Sequence, residues 1–120
     1  MLLALGTSGG LATAAGTLPA DDTAAVTSNN LATGDATTDT APGTLAADQA
    51  VPESADSLSC WDFYLNGSTF AVTCSGNYFW VYVDCANGYR YTYGPLAGTY
   101  RVALTCPNGY RALRGGAYGS

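Results

Sequence analysis

All fourteen aromatic residues of this 120-residue chain lie from Trp61 onward. That asymmetry limits where a core can form, because aromatic side chains supply much of the buried area of a small domain. Residues 21–57 are almost entirely Ala, Thr, Asp, Ser, Asn, Gly and Pro. Such a stretch has little apolar surface to set against the entropy of ordering its backbone. It reads as a disordered, acidic Ala/Thr-rich arm, and the folded domain is expected over 58–120.

A domain that small buries only about 60% of its unfolded surface, so its core alone gives marginal stability. The four cysteines, Cys60, Cys74, Cys85 and Cys106, all lie in the same segment. An even count in a short chain reads as two disulfides, given an oxidising compartment.

Charge divides along the same boundary. Seven of the nine acids precede Trp61, whereas all four arginines (Arg90, Arg101, Arg111, Arg114) follow it, opposed only by Asp62 and Asp84. The net charge of -5 thus combines an acidic arm with a domain of +2. The simplest role for the acids is to keep the arm soluble and extended. With no lysine or histidine and abundant Ala, Gly and Thr, the composition resembles that of high-GC bacterial proteins, actinobacterial ones among them.

Residues 1–20 (MLLALGTSGGLATAAGTLPA) resemble the apolar region and small-residue cleavage zone of a secretion signal, with cleavage expected after Ala20. They lack a basic start and a dense Leu/Val/Ile run, as a start codon placed too far downstream would produce. No window approaches the roughly 20 strongly apolar residues that span a bilayer, so a membrane anchor is not expected. Residues 21–57 then serve as a spacer, or as a segment ordered on a partner.

The domain alternates β-rich runs with turn signals. The runs are Cys60–Leu65, Thr69–Cys74, Tyr78–Cys85, Tyr89–Tyr93, Thr99–Cys106 and Tyr110–Leu113, with Asn-Gly at three of the junctions. No stretch has helical periodicity. The pattern predicts an all-β antiparallel meander, curled into a small sandwich or partly closed barrel. A short repeat supports it: Cys85-Ala86-Asn87-Gly88-Tyr89-Arg90 recurs as Cys106-Pro107-Asn108-Gly109-Tyr110-Arg111.

In a meander consecutive strands run in opposite directions, so Cys60 and Cys74 share one end of the sheet and Cys85 and Cys106 the other. The remaining pairings span a strand's length, beyond the ~7 Å Cα limit of a disulfide. The expected bonds are therefore Cys60–Cys74 and Cys85–Cys106.

Alternation assigns Phe79, Val81, Val83 and Cys85 to one row of the third run, and Tyr78, Trp80, Tyr82 and Asp84 to the other. Phe70, Val72 and Cys74 match the first row in type, as do Tyr100, Val102, Leu104 and Cys106, and these define the expected core. With Asn87-Gly88 as a two-residue turn, Tyr91 faces Asp84 and Tyr93 faces Tyr82. Trp80, Tyr82, Tyr91 and Tyr93 then form an aromatic patch away from the core. A one-residue change of register turns the tyrosines inward as a second core layer.

The domain holds few catalytic parts. It has no histidine or lysine, its carboxylates are Asp62 and Asp84 alone, and its cysteine spacing matches no zinc pattern. A charge of +2 over four arginines makes a weak basic stripe for nucleic acid. No catalytic residue, cofactor or metal is assigned. Tyr, Trp and Arg are the types that dominate interface hot spots. The expected partner-binding residues are Trp80, Tyr82, Asp84, Gly88, Tyr89, Arg90, Tyr91, Tyr93 and Gly94. The expected partner is an extracellular protein, with a polysaccharide stacked on the aromatic residues as the rival.

The run Asp84-Cys85-Ala86-Asn87-Gly88-Tyr89-Arg90-Tyr91-Thr92-Tyr93-Gly94-Pro95 resembles an Asp-Cys-x-x-Gly…Tyr-Gly-Pro pattern of small four-cysteine proteins secreted by streptomycetes. Signal, Ala-rich arm and small β domain together are similar to the adaptor subunit of umbrella toxin particles. That resemblance implies a non-enzymatic bridge: the arm enters a groove of a lectin-bearing, trypsin-like subunit, and the hairpin docks on a stalk subunit. Asp84, Cys85, Gly88 and Gly94 are the matching positions. The chain also resembles the streptomycete proteinaceous α-amylase inhibitors, two-disulfide β proteins with sequential pairing. Their inhibitory Trp-Arg-Tyr triplet lies in the first disulfide loop. Here that loop holds no arginine, and Tyr89-Arg90-Tyr91 in the second loop is the nearest counterpart.

Overall fold

The structure, a computed structural model, describes residues 23–120. The expected secretion signal, 1–20, lies outside the described residues. Six strands follow in order: β1 (Thr23–Asn30), β2 (Ala36–Thr44), β3 (Ser59–Asn66), β4 (Thr69–Cys85), β5 (Arg90–Thr105) and β6 (Ala112–Gly119). All pairings are antiparallel, in the order β1-β2-β5-β4-β3, with β6 on β4 and a further pairing of β1 with β5. The fold is thus all-β, and the sheet does not close.

Both disulfides pair as expected, Cys60 with Cys74 and Cys85 with Cys106, and no cysteine is free. Two disulfides are the state of an oxidising environment. Among the described residues no helix is long and apolar enough to cross a membrane.

Two of the junctions between the expected runs are not turns. Ser75-Gly76-Asn77 and Gly94-Pro95-Leu96-Ala97-Gly98 both lie inside long strands, where Gly76 pairs with Gly98 and register shifts on either side of Phe79. Comparing the pairs Gly76–Gly98, Phe79–Leu96 and Val81–Tyr93 shows one extra residue on β4 and then one on β5. Each is a bulge, which bends a strand and raises its twist. The bulge on β4 also reverses the face presented by odd and even positions. Phe70, Val72 and Cys74 point inward before it, and Phe79, Val81, Val83 and Cys85 after it, all buried.

The β4–β5 hairpin therefore serves two half-sheets. Its Thr69–Ser75 and Thr99–Thr105 part is flanked by β3 and β1. Its Phe79–Cys85 and Arg90–Leu96 part is flanked by β6, with Gly43 and Thr44 of β2 on the other side. The halves fold over one another on a shared core that also takes Val102, Leu104 and Cys106, as expected, whereas Tyr100 is only partly buried. Gly115 of β6 lies directly against the Phe70 ring, so close that a β-carbon there would overlap it. That contact brings the two layers together.

The disordered-arm expectation for 21–57 is corrected over its described part. β1 and β2 form a hairpin whose Ala24, Val26 and Ala41 are buried in the core. β1 has inward-facing residues alternating with exposed ones, and it covers the edge that β5 would otherwise leave unpaired. Backbone pairing and a few small apolar contacts replace the large side chains that the stretch lacks. The folded unit therefore begins well before residue 58. The last strand also differs: the expected Tyr110–Leu113 gives way to Ala112–Gly119, preceded by a 3-10 turn at Pro107–Gly109.

Candidate interaction surfaces

The hairpin around Asn87-Gly88 has three loop residues, not two. Cys85 N–H donates to the carbonyl of Tyr89 at 2.9 Å, and Gly88 N–H to the carbonyl of Cys85 at 3.0 Å. Gly88 sits at φ +89°, the left-handed position that closes a three-residue hairpin. The extra residue shifts the register by one, so Val83 faces Tyr91, Asp84 faces Arg90 and Tyr82 faces Thr92. Tyr91 is consequently buried in the core, and Tyr93 packs against it. The patch expected from Trp80, Tyr82, Tyr91 and Tyr93 thus keeps only its two β4 members.

Asp84 and Arg90 are also withdrawn from the surface. Asp84 accepts from Arg90 Nε at 2.6 Å and from Arg114 at 2.9 Å, with no solvent exposure of its own side chain. The Asp48 backbone N–H reaches the same carboxylate at 3.3 Å, Arg90 donates to the carbonyl of Gln49 at 2.7 Å, and Asp48 pairs with Arg114. This network ties the segment after β2 across the outer face of the half-sheet. Burial pushes the Asp84 carboxyl up, but the hydrogen bonds from Arg90 and Arg114 outweigh it and hold it below the usual aspartate range. The bond to Asp84 raises Arg90 in turn, against the opposing effect of burial.

Beside the network stands an aromatic ladder. Trp80 stacks on Tyr118 of β6 (centroids 5.5 Å apart, planes 19° apart), Tyr78 meets Trp80 edge-on, and Tyr82 lies beside Tyr118. The Arg90 guanidinium covers the Tyr82 ring at 4.7 Å. Tyr118, absent from the expected set, enters because Trp80 and Tyr118 are directly opposite across β4 and β6. The rings of Trp80 and Tyr118 face each other and Arg90 occupies a face of Tyr82, so few flat faces remain for a sugar. Of the other expected residues, Gly88 and Tyr89 are partly exposed in the loop, and Gly94 is exposed close beneath the Trp80 indole.

A second surface was not anticipated. Trp61, Phe63, Tyr64 and Leu65 of β3 are 46%, 61%, 47% and 50% exposed, although each is large and apolar. β3 bulges between Trp61 and Tyr64, where Asp62 takes φ +61° and its carbonyl accepts from Arg101. Trp61 faces Thr73 and Tyr64 faces Ala71, whereas Leu65 faces the inward-pointing Phe70 and Phe63 lies beside the Phe70 ring. The signal available in the sequence was the density of large side chains in Trp61–Leu65, where a paired, half-buried strand would alternate with polar residues.

Among the described residues no group of three or more Cys, Asp, Glu or His sits together as metal ligands would. No known protein family, curated protein or solved structure matches this chain.

Proposed function

We propose that this chain is a secreted, non-enzymatic interaction module, an adaptor that joins protein subunits of an extracellular toxin complex. The observation that carries the reading is the presence of aromatic side chains at the surface of both halves of one small sheet. Tyr78, Trp80, Tyr82 and Tyr118 lie on the half carrying β6, and Trp61, Phe63, Tyr64 and Leu65 on the half carrying β3. An adaptor needs two faces, and aromatic residues are the side chains that dominate interface energetics. The β3 side chains and Tyr78 are exposed, and Trp80, Tyr82 and Tyr118 are partly so; exposed apolar groups of this kind mark contact sites. The apolar leader and the two disulfides support export.

The α-amylase-inhibitor alternative draws less support, because in Tyr89-Arg90-Tyr91 both Arg90 and Tyr91 are buried. The sugar-binding alternative draws less as well, since the ladder's rings face one another.

The test is affinity purification of the tagged chain from the culture medium of its source, comparing wild type with Phe63→Ser and Tyr118→Ser. Two co-purifying proteins are expected, each lost with a different substitution. Equal recovery of all proteins by all three forms would overturn the two-surface reading.

A further inference from the structure

β3 and β6 flank β4 on the same side but along different stretches of it, so the sandwich has an open flank between them. One hydrogen bond, Ala112 N–H to the carbonyl of Gly67 at 2.9 Å, ties the two layers at the end of that flank. A cavity of about 330 Å³ opens there, lined by Leu65, Asn66, Gly67, Arg111, Ala112 and Leu113. Its volume lies at the lower end of the roughly 300–1,000 Å³ of ligand sites.

Two features say what would fill it. Leu65 lines one wall and is half exposed, with Phe63 further along the same strand. Arg111 lines the other wall and differs from the remaining arginines. Arg90, Arg101 and Arg114 all have an acidic partner, whereas Arg111 is exposed and has no ion pair among the described residues. A cavity lined by Leu65 and Leu113 together with an arginine that has no ion pair suits a chain bearing an apolar side chain next to a carboxylate, since Arg matches carboxylates bidentately. Simple strand addition along β3 is disfavoured, because the bulge and the left-handed Asp62 break the line of its free edge.

We infer that the open flank seats a short segment of a partner polypeptide in which an apolar residue adjoins an acidic side chain or a C-terminal carboxylate. This rests on the reading of the chain as a protein-binding module and names the chemistry that one of its surfaces recognises. The apolar side chain lies against Leu65 and Leu113, and the carboxylate meets Arg111.

The test is selection of a displayed random nonapeptide library, with free C termini, on the disulfide-bonded protein. The expected result is enrichment of peptides with Leu, Ile, Val or Phe within two positions of Asp, Glu or the C terminus. Binding of the selected peptides should fall about tenfold or more in Arg111→Glu, a loss worth ~1.4 kcal/mol, and should be largely kept in Arg111→Lys. Amide shifts on binding should map to Leu65, Gly67, Arg111 and Leu113. Absence of enrichment, or equal binding by Leu65→Asp and Arg111→Glu proteins with unchanged melting temperature, would overturn the inference. The outcome is independent of the adaptor reading: peptides that bind the flank while the native medium yields no partner would leave the site standing and remove the adaptor.

Discussion

Asp84 lies opposite Arg90 across the β4–β5 hairpin and accepts its Nε at 2.6 Å, although the same position was expected to hold Tyr91. One additional loop residue decides between the two arrangements. It sends a tyrosine into the core and places an arginine over a buried carboxylate, where that carboxylate also holds the segment after β2.

Removing the charge of Asp84 should therefore be costly. Asp84→Asn leaves Arg90 buried opposite a neutral amide, and breaking such a pair costs about 3 kcal/mol or more. Urea unfolding followed by tryptophan fluorescence would measure it. A loss well under 1 kcal/mol, the range of exposed pairs, would mean that the network is solvated.

The same carboxylate gives an acid-side signature. Burial raises its pKa, but hydrogen bonds from Arg90 and Arg114, the Asp48 backbone N–H and the Arg90 charge lower it further. A carboxyl depressed in the folded state contributes its full stability above its unfolded pKa, near 3.9, and loses it as pH falls through the lower folded value. Stability should thus be insensitive to this group above about pH 5 and fall with acid below about pH 4, with Asp84→Asn showing a shallower decline. Parallel slopes for the two proteins would rule the linkage out.

The contact between Gly115 and Phe70 should not tolerate a side chain. A β-carbon at 115 overlaps the Phe70 ring, so Gly115→Val should destabilise by roughly 1–3 kcal/mol through overpacking. Gly109, with open space around it, sits at positive φ and would not serve as a control. Phe70→Leu, which shortens the opposing side chain, should restore part of the loss in the double variant.

Each disulfide closes a short loop, with sequence separations of 14 and 21. Replacing either pair by serines should lower stability by about 3 kcal/mol in the chain-entropy account. Thermal melts of the two double variants, each still carrying the other bond, would report this, and a melting temperature equal to that of the wild type would contradict it.

β1 and β2 supply the remaining test of the fold. A chain beginning at Leu45 lacks Ala24, Val26 and Ala41 from the core and leaves the Tyr100–Thr105 edge of β5 unpaired. It should lose cooperative unfolding and self-associate. A sharp, reversible transition at the full-length midpoint would show that the chain from Leu45 onward folds without β1 and β2.

The parts of the fold legible in the sequence were those written in large side chains. The inward rows of β4, Val102 and Leu104 on β5, and the Cys60–Cys74 pairing follow from alternation and antiparallel direction. Cys85 and Cys106 lie toward opposite ends of the β4–β5 ladder and meet because the bulged hairpin folds over itself. What escaped was set by contacts between layers. Thr23–Asn30 carries one valine and otherwise small or polar residues, so its pairing with β2 and with the edge of β5 is what makes it a strand. Arg114-Gly115-Gly116-Ala117 has weak strand propensity, yet Gly115 is what lets the layers meet. A glycine inside a run signals either a turn or a bulge, and Gly76 and Gly98 were bulge-side residues. On the surface, Trp80 and Tyr82 were identified, but Tyr118 and the β3 cluster depend on which strand lies beside which.

The most direct measurement on the central claim is the mass at which the native, untagged protein elutes in fresh, unconcentrated culture medium, followed by immunodetection on a size-exclusion column. The account predicts elution well above the 12.3 kDa of the full chain, together with other proteins, and a shift toward the free mass in Phe63→Ser or Tyr118→Ser strains. Elution of the wild type as a free monomer would contradict it.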